Sequence, residues 1–218
     1  MKQPNILANA IERTILAVPR QSLRWNSRKK LRALLGAMET CIATRAKVSK
    51  LNLPDIERLF DASLFCLIYE ADLTVLSRDM TCRSAWWDSR LYARLLAMTM
   101  LECVEDIPAV LGKSFRQALT NVVTDRVHLQ QISKMTGALS DFRKNHEHEL
   151  REIRQIAAAH RDHDSRLVAS SIERLDLRKL TVLSQELGSS LMAFYPTMTE
   201  VLLELNILRE ILRSRSNK

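Results

Sequence analysis

The chain has 218 residues, 46% of them hydrophobic and 27% charged, with a formal net charge of +8. That is enough for one sizeable core with an appended arm, and four glycines and five prolines leave little material for turns, so long helices are expected. The longest uninterrupted apolar run, LFCLIY at 64–69, is far short of the ~20 residues of a membrane span, and so few glycines exclude a P-loop or a dinucleotide-binding fingerprint.

Residues 5–18 and roughly 23–50 read as two amphipathic helices. The opening MKQPNILANAIERTILAVP carries Glu12 and lacks the basic start, apolar middle and small-residue cleavage site of a secretory signal, so a cytoplasmic protein is expected. Basic residues concentrate in PRQSLRWNSRKKLR, 19–32, and again in LREILRSRSNK at the end. Such runs suit a polyanion, because each neutralised phosphate releases counterions. Arg24, Arg28, Lys29 and Lys30 are the candidate RNA contacts, with a solvated helix face as the plain alternative. Trp25 among them either stacks on a base or anchors packing.

In residues 53–76, Ile56, Leu59, Phe60, Ser63, Leu64, Leu67 and Ile68 form one stripe at three-and-four spacing. Pro54, Asp55 and Glu57 suit the opening turn of that helix. Residues 89–112 combine Leu91, Leu95, Met98 and Glu102 with Leu96 and Cys103 beside them, and Pro108 should stop or kink the helix. Residues 115–160 continue as helix, bent or broken near Gly137. A last helical region, 170–212, is interrupted around Gly188 to Pro196. No segment alternates at period two, no hairpin dipeptide is present and no 20–50-residue unit repeats. The expected architecture is an all-α bundle of long helices over 51–214, with a basic helical arm at 1–50 packed on it and a frayed tail at 215–218.

Cys41, Cys66, Cys82 and Cys103 are widely spaced among apolar neighbours, as buried free thiols in a reducing compartment would be. Neither a metal nor another cofactor is expected. The nearest approaches to a Glu-x-x-His ligand pair are Asp125 with His128 and the reversed His146 with Glu149. His146 and His148, two residues apart, point in different directions on a helix and make no chelate.

The stretch REIRQIAAAHRDHD, 151–164, gathers charge and two histidines around IAAA. On an unbroken helix Arg154 and His160 stand about 120° apart. They converge only if the helix ends or distorts near Ala159, and Arg161, Asp162, His163, Asp164 and Ser165 have the composition of a helix end or a new N-cap. A histidine at a helix C-terminus is also explained by the helix dipole alone.

The segment IRQIAAAHRD, 153–162, resembles the signature of the HEPN superfamily, all-helical bundles in which an arginine is followed four to six residues later by a histidine. The upstream LYARLLAMTMLECVEDIP is similar to bacterial HEPN proteins of the abortive-infection group. One departure is Gln155, where the family prefers Asn, Asp or His after the arginine.

The resemblance implies a HEPN-like bundle and metal-independent RNA cleavage, in which the ribose 2′-hydroxyl attacks the adjacent phosphate. His160 would act as general base or acid and Arg154 would hold a phosphate oxygen. Gln155, Arg161 and Asp162 would support them, Asp162 by orienting His160 or by tying down Arg161. It further implies a homodimer with a composite site and a toxin or phage-defence role, with RNA as substrate and an antitoxin or defence protein as partner. The alternative is a non-catalytic helical adaptor, a dimerisation module or an RNA-binding module.

Overall fold

The computed structural model describes residues 6–83, 85–123, 126–158 and 165–216. Among them are eight helices and no strand: α1 (Ile6–Ser49), α2 (Pro54–Cys82), α3 (Trp86–Val110), α4 (Lys113–Val122), α5 (Arg126–Ala158), α6 (Ser165–Glu173), α7 (Leu177–Leu191) and α8 (Phe194–Ser216). The all-α expectation holds. None of the described helices is long and apolar enough to cross a membrane.

The amino-terminal region differs from the expected pair of helices, because α1 is one helix of 44 residues. Among residues 20–49 of it, the buried ones, Ser27, Leu34 and Cys41, recur every seven positions, with Leu31 and Met38 half-buried between them. This is the narrow seam of a coiled-coil-like contact rather than a broad amphipathic face, and it keeps one register from Ser27 to Cys41. Its partner is α2, lying antiparallel. Arg45 pairs with Asp61, Lys30 with Glu70, and Arg24 Nη2 donates to the Cys82 carbonyl at 2.9 Å. The hairpin turns through Asn52, at φ 52°, a left-handed conformation that asparagine tolerates better than most side chains.

Pro54 starts α2, with Asp55 and Glu57 in its first turn as the sequence suggests. Leu59, Phe60, Ser63 and Leu67 of the expected stripe are buried, whereas Ile68 is exposed. The helix continues to Cys82 and packs against α1, α3, α4 and α7, which explains why it buries residues on several sides.

In α3 the core face is not the expected one. Leu91 and Leu95 are 41% and 38% exposed, while Ala93, Leu96, Ala97, Met100, Leu101, Val104 and Ile107 are buried. Apolar residues occupy both faces of α3, so periodicity alone does not choose between them. Pro108 lies in the last turn, two residues before the helix ends at Val110. Gly112 opens α4 at a point where a Cβ would come within 2.8 Å of the Ala109 carbonyl oxygen, so this turn requires glycine.

The break expected at Gly137 falls instead between α4 and α5, around Val123. Arg116 ties the turn between α3 and α4 to α5, donating to the Leu111 carbonyl, to Ser133 Oγ at 2.9 Å and to Thr136 Oγ1 at 3.2 Å. Gly137 sits within α5, exposed, with nothing within 4 Å of a Cβ built there. Its flexibility serves no contact, and Gly137→Ala is expected to stabilise the protein by ~1 kcal/mol, read as a higher denaturant midpoint at unchanged slope.

Near the carboxyl end, Asp176 caps α7 by accepting from the Lys179 amide at 3.0 Å. Gly188 lies inside α7, and the interruption falls at Met192 and Ala193, with Pro196 in the opening turn of α8. That helix extends to Ser216, into the expected frayed tail, and residues 217–218 lie outside the described ones.

Four helices form an up-down bundle. Helices α3 and α5 run antiparallel, since Arg151 reaches Glu105 while Arg116, just beyond α3, meets Ser133 and Thr136 near the start of α5. Helix α7 runs against both α5, through His146 with Glu186 and Glu149 with Lys179, and α2, through Ser77 with Ser184. The core enclosed by α2, α3, α5 and α7 contains Leu59, Met100, Phe142, Leu150, Leu183 and Leu187, with Phe115 of α4 and Phe194 of α8 closing its far end.

Candidate functional site

This topology brings the C-terminal ends of α2 and α5 and the N-terminal ends of α3 and α7 to one end of the bundle. Arg90 of α3 ties that end together by donating to the Glu173 carbonyl at the close of α6. Because α1 runs against α2, the basic run of α1 lies beside the last turns of α2. There Arg24, Arg28, Arg78 and Arg83 line a pocket of about 210 Å³ together with Asp79 and Cys82. Four guanidinium groups thus share one carboxylate.

Asp79 accepts from Arg78 at 2.8 and 3.1 Å, with Arg83 at 4.0 Å. Its carboxyl is held below the usual carboxylate range, first by the Arg78 hydrogen bond. One full negative charge still leaves the pocket with excess positive charge. Arginine's planar fork matches phosphate oxygens, so the pocket is built to take an anion.

Aromatic residues stand close in sequence to the lining arginines. Trp25 is 61% exposed, with the Lys29 ammonium 5.9 Å from its ring centre. Trp86 and Trp87, half exposed at the start of α3, lie 5.7 Å apart with Arg90 and Arg94 over their rings. Arg83 stacks over Tyr92. Sequence reasoning named Arg24, Arg28 and Lys29 but passed over Arg78, Arg83, Trp86 and Trp87. The signal was present in TCRSAWWDSR, 81–90, where basic and aromatic residues interleave. Lys30, the fourth candidate contact, turns the other way and pairs with Glu70 of α2.

Arg154 and Gln155 both stand exposed near the C-terminal end of α5, beside the buried Ile153. Arg154 makes no ion pair or hydrogen bond with the described residues. The described part of α5 runs to Ala158, and Ala159, where the helix would have to end or distort, lies outside the described residues. His160, Arg161 and Asp162 lie outside the described residues, as do His163 and Asp164.

Over the three turns before Arg154, Arg151 and Arg143 clasp Glu147, and both also approach Glu105 of α3. Hydrogen bonds from Arg143 and Arg151 lower the Glu147 pKa from its ordinary 4.5 to about 2. A depressed carboxylate contributes stability that is complete above pH 4.5 and is lost as the pH falls toward 2. Acid unfolding of Glu147→Gln is therefore expected to be less steep in that window, with a difference that shrinks in high salt because the network is exposed.

The remaining described histidines have structural partners. His128 is buried, with Nε2 3.0 Å from Glu204 and Nδ1 3.8 Å from Glu200 of α8. The Asp125 proposed beside it lies outside the described residues. His146 rests on Phe142 and faces Glu186, and exposed His148 faces Glu152. Among the described residues, no three His, Cys, Asp or Glu side chains are grouped to hold a metal ion. All four cysteines are buried and free, and burial pushes the Cys66 thiol up to about 12, where it is inert as a nucleophile.

Comparison with protein-family models, with curated proteins and with solved structures returns no match to this chain.

Proposed function

We propose that the protein is a metal-independent ribonuclease of the HEPN type that grips RNA at the basic, aromatic end of its bundle. The observation that carries this reading is the convergence at one end of two features far apart in sequence. These are the four-arginine pocket, with exposed tryptophans close in sequence to its lining residues, and Arg154 on the last described turns of α5. The arginines suit backbone phosphates and the indoles suit unstacked bases, a combination that favours single-stranded or looped RNA.

Arg154 would hold a non-bridging phosphate oxygen as negative charge builds there. His160 would take the proton of the 2′-hydroxyl or give one to the departing 5′-oxygen. The products are a 2′,3′-cyclic phosphate and a 5′-hydroxyl. A cytoplasmic toxin or phage-defence role, silenced by an antitoxin, follows from the resemblance of 153–162 to the HEPN signature.

The test is incubation of purified protein with total and transfer RNA in EDTA, with the product ends identified. Cyclic phosphate ends are expected, and intact RNA overturns the assignment. Binding is tested separately. Arg28→Glu with Arg83→Glu is expected to weaken affinity for single-stranded RNA at least roughly tenfold. The slope of log affinity against log salt should flatten by about 0.7 for each phosphate that is no longer neutralised.

A second reading is favoured by one further observation. Trp87, Leu91 and Leu95 make an exposed apolar line at four-residue spacing along α3. This surface suits a protein contact, either the second copy of a homodimer or the partner of a non-catalytic adaptor. The two readings part on the RNA assay, since an adaptor leaves RNA intact while Leu91→Glu disrupts its assembly.

A further inference from the structure

The arginine-lined pocket between α1 and the end of α2 has a volume of about 210 Å³. That is below the roughly 300–1,000 Å³ of sites that enclose a whole small molecule, so it takes a compact head group while the rest of the ligand stays outside. Arg78 and Asp79, 21% and 16% exposed, make its inner wall with the buried Cys82. Arg24, Arg28 and Arg83 are exposed at its mouth, where an incoming anion reaches them directly.

The donors around it are only partly used. Asp79 engages Nε and Nη2 of Arg78, and the Cys82 carbonyl engages Nη2 of Arg24. Arg83 stands 4.0 Å from Asp79, beyond hydrogen-bond distance, and Arg28 makes no hydrogen bond or ion pair with the described residues. Each guanidinium carries five N–H donors in a fixed fork, so the forks of Arg28 and Arg83 are open to a ligand.

Four guanidiniums against one carboxylate leave three positive charges uncompensated. A phosphodiester within a strand brings a single negative charge and two non-bridging oxygens. A phosphate monoester brings about −1.5 to −2 charges at pH 7 and three strong acceptor oxygens. With one attached chain instead of two, it also enters a pocket closed on its inner side.

We propose that this pocket binds a phosphate monoester, and that the monoester is the 5′-phosphate end of an RNA strand. The source rests on the RNA reading above, whereas the pocket's chemistry would serve a free nucleotide equally.

Fluorescence anisotropy with two 3′-labelled decamers of 2′-O-methyluridine tests it. They differ only in carrying a 5′-phosphate or a 5′-hydroxyl, and they lack the 2′-hydroxyl that cleavage needs. The phosphorylated decamer is expected to bind roughly tenfold more tightly at equal salt, the worth of one added charge-assisted hydrogen bond. Arg28→Gln with Arg83→Gln is expected to erase that difference. Lys113→Gln with Lys134→Gln makes the same charge change at exposed positions near the starts of α4 and α5 and is expected to preserve it. Equal, tight binding of both decamers overturns the pocket's selectivity and leaves the RNA reading standing. Calorimetric titration with uridine 5′-monophosphate separates the sources. Nucleotide binding that depends on Arg28 and Arg83, with neither decamer bound, supports the pocket and overturns its RNA source. No binding of decamers or nucleotide, or a preference lost equally in the lysine variant, overturns the proposal.

Discussion

His160→Ala is expected to reduce RNA cleavage in EDTA by about 100- to 10,000-fold, the usual range for loss of a general acid or base. Arg154→Ala should fall comparably, because a single fork of donors would stabilise the charge developing on phosphate. Arg154→Lys should recover only part of the activity, since an ammonium cannot hold two oxygens in one plane. Thermal unfolding of the Arg154 variants should match that of the parent chain. The side chain is exposed and has no partner among the described residues, so its removal leaves neither a cavity nor an unpaired group. Cleavage that persists undiminished in His160→Ala removes this histidine from the reaction. A loss of activity that tracks a loss of folded protein would make its role structural.

Phe142→Ala should produce the largest change in stability. Phe142 is 2% exposed in the core enclosed by α2, α3, α5 and α7, with His146 resting on its outer edge. Truncating a buried phenylalanine removes its transfer free energy and leaves a cavity, at a combined cost of about 3–5 kcal/mol. For a chain of this size that corresponds to a melting temperature lower by roughly 6–20 °C. Because Phe142 anchors the helix carrying Arg154, cleavage per folded molecule should persist at low temperature and disappear as α5 comes loose. A fall below 1 kcal/mol would mean that the core around Phe142 is more open than its burial indicates.

The two extremes of the structure show why some features could be read from residues and others could not. In α2, proline and acidic residues at the start and a dense apolar stripe are local properties, and the helix forms where they point. In α1, only one residue in seven is fully buried over much of the helix, so the seam is too narrow to register as amphipathic, and the element read as two pieces. In α3, Leu91 and Leu95 compete with Leu96 and Met100, and the neighbours that bury one set arrive from elsewhere in the chain. The candidate site divides in the same way. Arg24, Arg28 and Arg154 were visible as residue types in suggestive company. Arg78 and Arg83 gained meaning only when α1 was laid antiparallel along α2.

The sequence by itself determined an all-helical protein, the buried state of its cysteines and the positive charge of its amino-terminal run. Each follows from composition and short-range spacing, which act within a few turns of one helix. The tertiary structure alone decided which face of α3 meets the core, that Lys30 serves Glu70, and that α1, the ends of α2 and α5 and the start of α3 share one end of the bundle. Those outcomes depend on contacts between residues tens of positions apart, and helix direction and pairing are settled by packing among whole elements.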